Sequence, residues 1–425
     1  MKRTMKRTTT RTIAAGVVAA GIAASVGLVP RAALASGFLI YDLSGEAIGR
    51  ASAVTADSSE PAAVWFNPAQ LSFQEGAAAS AGGVLVTARS KFTPADPAVS
   101  TTDSKRGLFF LPTVFAGGKV NDRVAVGMGI YTAFGIGIRW PDDWAGREAA
   151  ISASLETLAF NPTLAIKLHP QLSIAAGFDA IRATVDFQNG LPSIVGGDVR
   201  LVGGTWGFGG NVAALYRIIP ERLHAALTYR SRVKLDFDGN ANFSPGNPDF
   251  ERMLPDQPGT ASITLPDIFT AGLMGRVMPN LTLEVDANLT LWQTYKEIDI
   301  RFSNPTTPNR TLRPDGHAAL TLRAGADWAL ARVPGLHLRA GVIWDGSALP
   351  ADGVGPGLPD SNRIDGTLGV GYARGMFKAD LGYMLVTFLG ADAKTGRESP
   401  EGTYKTTAHL IGLTLVARWG AGARP

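Results

Sequence analysis

From Leu281 to Trp292 the side chains alternate strictly. Leu281, Leu283, Val285, Ala287, Leu289 and Leu291 fall on one side, and Thr282, Glu284, Asp286, Asn288, Thr290 and Trp292 on the other. A period of two predicts an extended strand with one apolar and one polar face. The pattern recurs in Leu320, Leu322, Ala324, Ala326, Trp328 and Leu330 against Thr321, Arg323, Gly325 and Asp327. It recurs again in Leu223, Leu227, Tyr229, Val233, Leu235 and Phe237 against His224, Thr228, Arg230, Arg232, Lys234 and Asp236. Turn residues supply short connections at 120–122, 169–171, 219–221, 278–280, 333–335 and 373–375. They alternate with longer polar or Pro/Gly-rich segments near 92–106, 136–149, 189–196, 244–259, 303–312, 349–361 and 391–403. Thirteen connections predict fourteen strands.

Alternation of this kind also fits a soluble sandwich, so the compartment matters. Lys2, Arg3, Lys6, Arg7 and Arg11 precede an uncharged apolar run from Ile13 to Val29, followed by Ala33-Leu34-Ala35. This order predicts a signal peptide over residues 1–35, cut before Ser36. The formal net charge of +4 includes six basic residues ahead of the cut and no acidic one, which leaves −2 on the exported chain. The electrostatic case for a nucleic-acid partner disappears with the leader. With no cysteine, neither disulfides nor thiolate metal sites are available. After the leader no apolar run is long enough for a membrane-spanning helix. The expected fold is therefore all-β: a fourteen-stranded antiparallel transmembrane barrel over residues 76–419, with short turns and both termini periplasmic and long loops external. Its last strand carries Ile411, Leu413, Leu415, Ala417 and Trp419 on one face, and residues 420–425 form a short extension.

Residues 36–75 break the rule. Asp42, Glu46, Arg50, Asp57 and Glu60 are scattered among Ala and Gly with no sustained period. A barrel of this size encloses a lumen that another part of the chain can fill, which predicts a plug, or hatch.

Several short motifs follow in order: Ser36-Gly37-Phe38, Ile48-Gly49-Arg50-Ala51, Trp65-Phe66-Asn67-Pro68-Ala69, Asn161-Pro162, Trp206-Gly207-Phe208-Gly209, Leu227-Thr228-Tyr229-Arg230-Ser231, Leu265-Pro266-Asp267, Leu338-Arg339-Ala340-Gly341 and Leu358-Pro359-Asp360. Together they resemble the FadL/TodX family of outer-membrane transporters for long-chain fatty acids and other hydrophobic compounds. The resemblance implies a Gram-negative outer-membrane location and an external groove that catches ligand. It also implies an inner pocket beside the mature amino terminus, a hatch that shifts, and lateral release into the bilayer through a gap at a kinked third strand. It places Phe38, Arg50, Asn67, Pro68 and Ala69 in the hatch and pocket, with Asn67 and Pro68 beside the kink.

The third strand, expected from Asp122 to about Ile136, is rich in glycine, and Gly127, Gly129, Gly135 and Gly137 are the candidates for the lateral gate. The same glycines also fit simple barrel curvature. Head-group partners for a carboxylate are sought among the basic residues expected on the lumen face, chiefly Arg182, Arg230, His317 and Arg339, with structural ion pairs as the competing use. The histidines lack metal-ligand spacing, and the glycines from Gly203 to Gly210 precede no Lys-Ser/Thr pair. No catalytic residue, metal or cofactor is therefore expected. The implied partners are a fatty acid or another hydrophobic small molecule, together with outer-membrane lipid and lipopolysaccharide, around a monomeric barrel. A non-specific porin or adhesion barrel and an outer-membrane lipid hydrolase are the alternative readings.

Overall fold

The computed structural model describes residues 37–393 and 400–420. The expected signal peptide lies outside the described residues, as does all but Gly420 of the carboxy-terminal extension.

Fourteen antiparallel strands form one closed sheet. They are β1 (Ala77–Pro94), β2 (Gly107–Lys119), β3 in two pieces (Val124–Tyr131 and Gly135–Arg139), β4 (Ser152–His169), β5 (Leu172–Gly190) and β6 (Gly197–Ile219). Then come β7 (Leu223–Arg230 and Val233–Pro245), β8 (Gln257–Leu265 and Asp267–Met278), β9 (Leu281–Leu291, resumed at Ile298–Phe302) and β10 (Arg310–Leu312 and Ala318–Ala329). The wall ends with β11 (Leu336–Asp345), β12 (Arg363–Arg374), β13 (Phe377–Phe388) and β14 (Gly402–Trp419). Pairing of β1 with β14, from Ala77 opposite Trp419 to Pro94 opposite Gly402, closes the cylinder. The six short turns gather at one end and the long loops at the other, as the spacing of turn residues predicts.

Burial near the turn end is inverted relative to a soluble protein. Leu227, Phe269, Leu289, Leu368, Leu381 and Leu413 are exposed on the outer wall, while Glu284, Asp286, Arg339 and Asp380 are buried inside. An apolar belt around a polar bore is what a strand wall in lipid requires.

Toward the loop end this polarity reverses. In β7 the chain is interrupted at Ser231-Arg232, and the two pieces are out of phase. Leu223 and Leu227 point outward, but beyond the interruption Val233, Leu235 and Phe237 point inward and are buried, while Lys234 and Asp236 are exposed and pair at 2.8 Å. The sequence pattern, read without the interruption, puts Arg232, Lys234 and Asp236 in the lumen; the phase shift puts them outside, because slipping a strand by one residue exchanges its faces. Arg89 and Asp103 form a similar outer pair at 2.8 Å. The loop half is thus polar outside and apolar inside.

Residues 38–72 lie almost wholly buried within the wall. They form a short helix α1 (Gly45–Gly49), a single turn α2 (Ala63–Phe66) and a 3-10 segment (Pro68–Phe73). Ser44 caps α1, its Oγ accepting from the Ala47 amide at 3.1 Å. The helix rests directly on the backbone of β13 and β14: a Cβ on Gly45 would sit 2.3 Å from the Asp380 carbonyl oxygen, so no side chain fits there.

Candidate functional site

The third strand is broken, at Thr132-Ala133-Phe134. Below the break Val124–Tyr131 pairs with β2 on one side and β4 on the other. Above it Gly135–Arg139 pairs with β4 alone, and Gly107–Thr113 of β2 pairs with β1 alone. The wall therefore opens between these two stretches. It is closed again at the top by a backbone bond from Lys105 to Arg139, 2.7 Å long. Thr157 of β4 holds the displaced segment. Its hydroxyl donates to the Phe134 carbonyl at 2.6 Å and accepts from the Phe134 amide at 3.3 Å, while Thr132 Oγ1 donates to the Thr157 carbonyl at 2.9 Å.

The amino-terminal residues patch this break. The Ile40 amide donates to the Ala133 carbonyl at 2.7 Å, the Gly135 amide to the Phe38 carbonyl at 3.1 Å, and Leu39 bridges to Phe134. The Phe38 ring, 2 % exposed, occupies an aromatic cage. Its centroid lies 4.5 Å from Trp292, 5.3 Å from Tyr295 and 6.2 Å from Phe134. Val185, Leu235, Ile263 and Leu265 belong to the same apolar cluster. Nearer the loops lies a separate aromatic cluster of Phe92, Trp140, Trp144 and Tyr404, with Trp140 and Trp144 stacked at 4.6 Å.

Residues 44–57 are held differently. Arg50 is 2 % exposed and faces Glu284 at 3.2 Å and Glu46 and Asp57 at 3.6 Å. Lys378 meets Glu46, Asp380 at 2.9 Å and Glu60 at 3.5 Å, and Arg339 bridges Asp380 and Asp327 at 2.6 Å each. Asp286 accepts from the amides of Val54 and Thr55 and from the Thr55 hydroxyl, and Glu284 accepts from the Ala56 amide. Charges on β9 and β13 thereby bolt this part of the plug to the wall, and Arg339 braces Asp380 of β13 against Asp327 of β10 beside it. Each partner keeps the others from being left as an uncompensated buried charge.

The remaining candidates divide. Gly135 and Gly137 flank the opening, but Gly127 and Gly129 lie in the fully paired piece of β3. The break itself contains no glycine. Gly127 makes room for the plug: a Cβ there would come within 2.7 Å of Leu71 and Val64. Asn67 does not cap the broken ladder. Its Oδ1 accepts from the Ala69 amide at 3.0 Å, and its Nδ2 donates to the carbonyls of Thr55 at 2.8 Å and Ala214 of β6 at 3.4 Å. Pro68 opens the 3-10 segment and Ala69 is buried within it. From the Trp65–Ala69 motif it is Trp65 that approaches the kink, its ring 5.0 Å from Tyr131.

Among the basic candidates, Arg230 pairs with Asp179 and stacks on Trp65 at 4.3 Å, and Arg339 is committed to its two carboxylates. His317 precedes the inward row Ala319, Thr321, Arg323, and its amide donates to the Ala348 carbonyl. Arg182 is not in the lumen. Buried positions along this part of β5 are the odd-numbered Asp179, Ile181, Ala183 and Val185, so Arg182 faces outward opposite Trp206, donating to the Thr205 carbonyl at 2.9 Å.

Sequence reasoning missed Phe109, Phe134, Thr157, Trp292 and Tyr295 as parts of this site. A Cβ on Gly137 would lie 2.3 Å from the Phe109 ring, so that ring stands in the opening. The loss of dyad period after Leu291 was the available signal for Trp292 and Tyr295.

The family model for outer membrane protein transport proteins (OMPP1/FadL/TodX) matches residues 26–419. The chain belongs to this family. Like its relatives in the OMPP1/FadL/TodX family, it is an outer-membrane protein. A long-chain fatty acid transport protein of Salmonella typhi is 26% identical over 387 residues, covering 82% of this chain and 86% of its own. A crystal structure of a Pseudomonas aeruginosa FadL homologue superimposes with a TM-score of 0.83 at 18% identity, covering 91% of this chain and all of its own. The Pseudomonas putida toluene transporter TodX superimposes with a TM-score of 0.70 at 16% identity, covering 87% and 98%. These two structures share the fold.

Proposed function

We propose that this FadL/TodX family barrel moves hydrophobic small molecules inward across the outer membrane without cofactor or energy input, releasing them sideways into the bilayer. Long-chain fatty acids and aromatic hydrocarbons, the cargo named for its relatives, are the candidate classes. Apolar ligand collects at the Phe92, Trp140, Trp144, Tyr404 cluster and passes to the cage that Phe38 now fills. Ligand and Phe38 compete for the same space. When the ring leaves, the Phe38–Ile40 backbone comes off the break in β3, and Phe109 is the remaining obstacle in the opening. Moving from an apolar cage directly to lipid avoids re-exposing the ligand to water, worth about 0.8 kcal/mol for each CH₂. A lumen filled from Phe38 to Ser72 argues against free passage of polar solutes, and no nucleophile is needed for this route. The barrel works as a monomer, with both termini on the periplasmic side.

One observation carries the proposal: the residue in the cage is joined by backbone bonds to the break in the wall. Because the chain has no cysteine, Leu39→Cys combined with Phe134→Cys introduces a single tether across that bridge. Uptake of a labelled fatty acid or toluene should fall at least tenfold on oxidation and recover on reduction. Equal uptake in both states, with the tether verified, overturns the coupling.

A further inference from the structure

The aromatic cage contains one polar group that none of the described residues uses. Trp292 is fully buried, and its Nε1–H has no hydrogen-bond partner among the described residues. The other buried indoles of this part of the molecule are satisfied. Trp65 donates to the Tyr41 carbonyl at 3.2 Å, Trp140 to Pro356 at 3.0 Å and Trp144 to Ala150 at 2.8 Å. A buried donor without an acceptor is destabilising, so an orphan beside three satisfied buried indoles marks a place for an absent acceptor.

The orphan is part of the site. The nitrogen-bearing edge of the indole lies against the amino-terminal segment: a Cβ on Gly37 would come within 2.9 Å of both Cε2 and Cζ2. Departure of Gly37 and Phe38 therefore uncovers this edge together with the space that one phenyl ring fills. That space is bounded edge-on by Tyr295 and Phe134 at interplanar angles of 76° and 68°, an arrangement that suits a flat ring. One neutral N–H cannot balance a carboxylate, and inward-facing Arg230 and Arg339 are already paired with aspartates.

Resting on the transport reading above, we propose that Trp292 is a specificity-determining residue, selecting uncharged single-ring aromatic compounds that carry a hydrogen-bond acceptor such as a ketone or ester oxygen. The ring replaces Phe38 and the oxygen accepts from Trp292 Nε1.

The test is equilibrium binding to the full barrel in lipid nanodiscs, corrected for partition into empty nanodiscs, with acetophenone, methyl benzoate, ethylbenzene and benzoate as probes. Acetophenone and methyl benzoate should bind roughly fivefold more tightly than ethylbenzene, the scale of one neutral hydrogen bond. Trp292→Phe keeps an aromatic wall but removes the donor, so the ratio between the ketone or ester probes and ethylbenzene should fall to about one, whatever the change in absolute affinity. Parity in the wild type, an unchanged ratio in the variant, or benzoate as the tightest ligand each overturns the assignment. Binding of the neutral probes at parity, or of none of them, overturns the assignment and spares the transport reading, which the tethered-uptake experiment decides. The ratio among the probes on wild-type protein decides the matter even if the variant fails to assemble.

Discussion

Two neighbouring stretches of the plug are equally buried and held by opposite means. Residues 44–57 are fixed to β9 and β13 by a network in which Arg50 and Lys378 are each surrounded by carboxylates, with Arg339 bracing the wall beside them. Residues 38–40 carry no charge and are held by the ring contacts of Phe38 and two backbone bonds to the break in β3. Charge pairs in a closed lumen are costly to separate singly, since each leaves an unbalanced partner behind. Aromatic contacts can be replaced one for one by those of a ligand. On the proposed transport route, the contrast divides one continuous segment into a fixed stopper and an exchangeable tip, so that the lumen would stay shut to ions while the tip moves.

The largest test of this division is Arg50→Ala. Removing one partner of a buried ion pair costs about 3–5 kcal/mol. The barrel should still assemble, while single-channel recordings should show a conducting lumen; a silent, closed barrel would count against the anchoring role. Phe38→Ala attacks the tip instead. It should leave conductance unchanged and strengthen ligand binding about tenfold, or ~1.4 kcal/mol, because the competitor for the cage is gone. Conductance appearing in this variant would erase the distinction between the two stretches. Gly135→Val is subtler. Its added atoms press on Ile40, whose Cδ1 lies 3.2 Å from the position of a Cβ. Overpacking costs about 1–3 kcal/mol, so the tip should dock less firmly and its amides exchange hydrogen faster, while residues 45–57 remain protected.

The smallest effect is on pH. Burial, with Glu46 and Asp380 close by, pushes the Glu60 carboxyl of the plug up to about 8. A raised carboxyl favours the docked plug fully below its unfolded value of about 4.3, and that contribution is lost as pH rises through about 8. Hydrogen exchange in residues 45–60 should therefore quicken between pH 6 and 9 in the wild type and less so in Glu60→Gln. Identical pH profiles would remove Glu60 from the anchor.

The gate region shows where local patterns stop being informative. Glycine content pointed to the third strand, and the wall does open beside Gly135 and Gly137, yet the interrupted residues are Thr132, Ala133 and Phe134. Their displacement is stabilised by Thr157 on the next strand and by Phe38 and Ile40, more than ninety residues away in the chain. Lys234 failed for a related reason: alternation assigns residues to two faces, but naming the inner face requires an unbroken count, and β7 loses that count at Ser231-Arg232. Arg182 lies on an unbroken strand, on the same outward face as Phe178, and its charge marks the outer face rather than the lumen because the polarity of the wall reverses toward the loops.

The sequence alone determined the strand number, the alternation of short turns with long loops, the apolar outer belt and the presence of an irregular amino-terminal segment. Each of these is written in a period of two or in turn residues, which act over a few neighbours. Tertiary structure decided which basic residues are consumed by ion pairs, where the strand breaks, which half of the barrel has an apolar interior, and that Phe38 sits against Trp292. Those features depend on partners such as Glu284 for Arg50 or Phe134 for Leu39, brought together only when β1 meets β14 and the closed wall forces the plug against it.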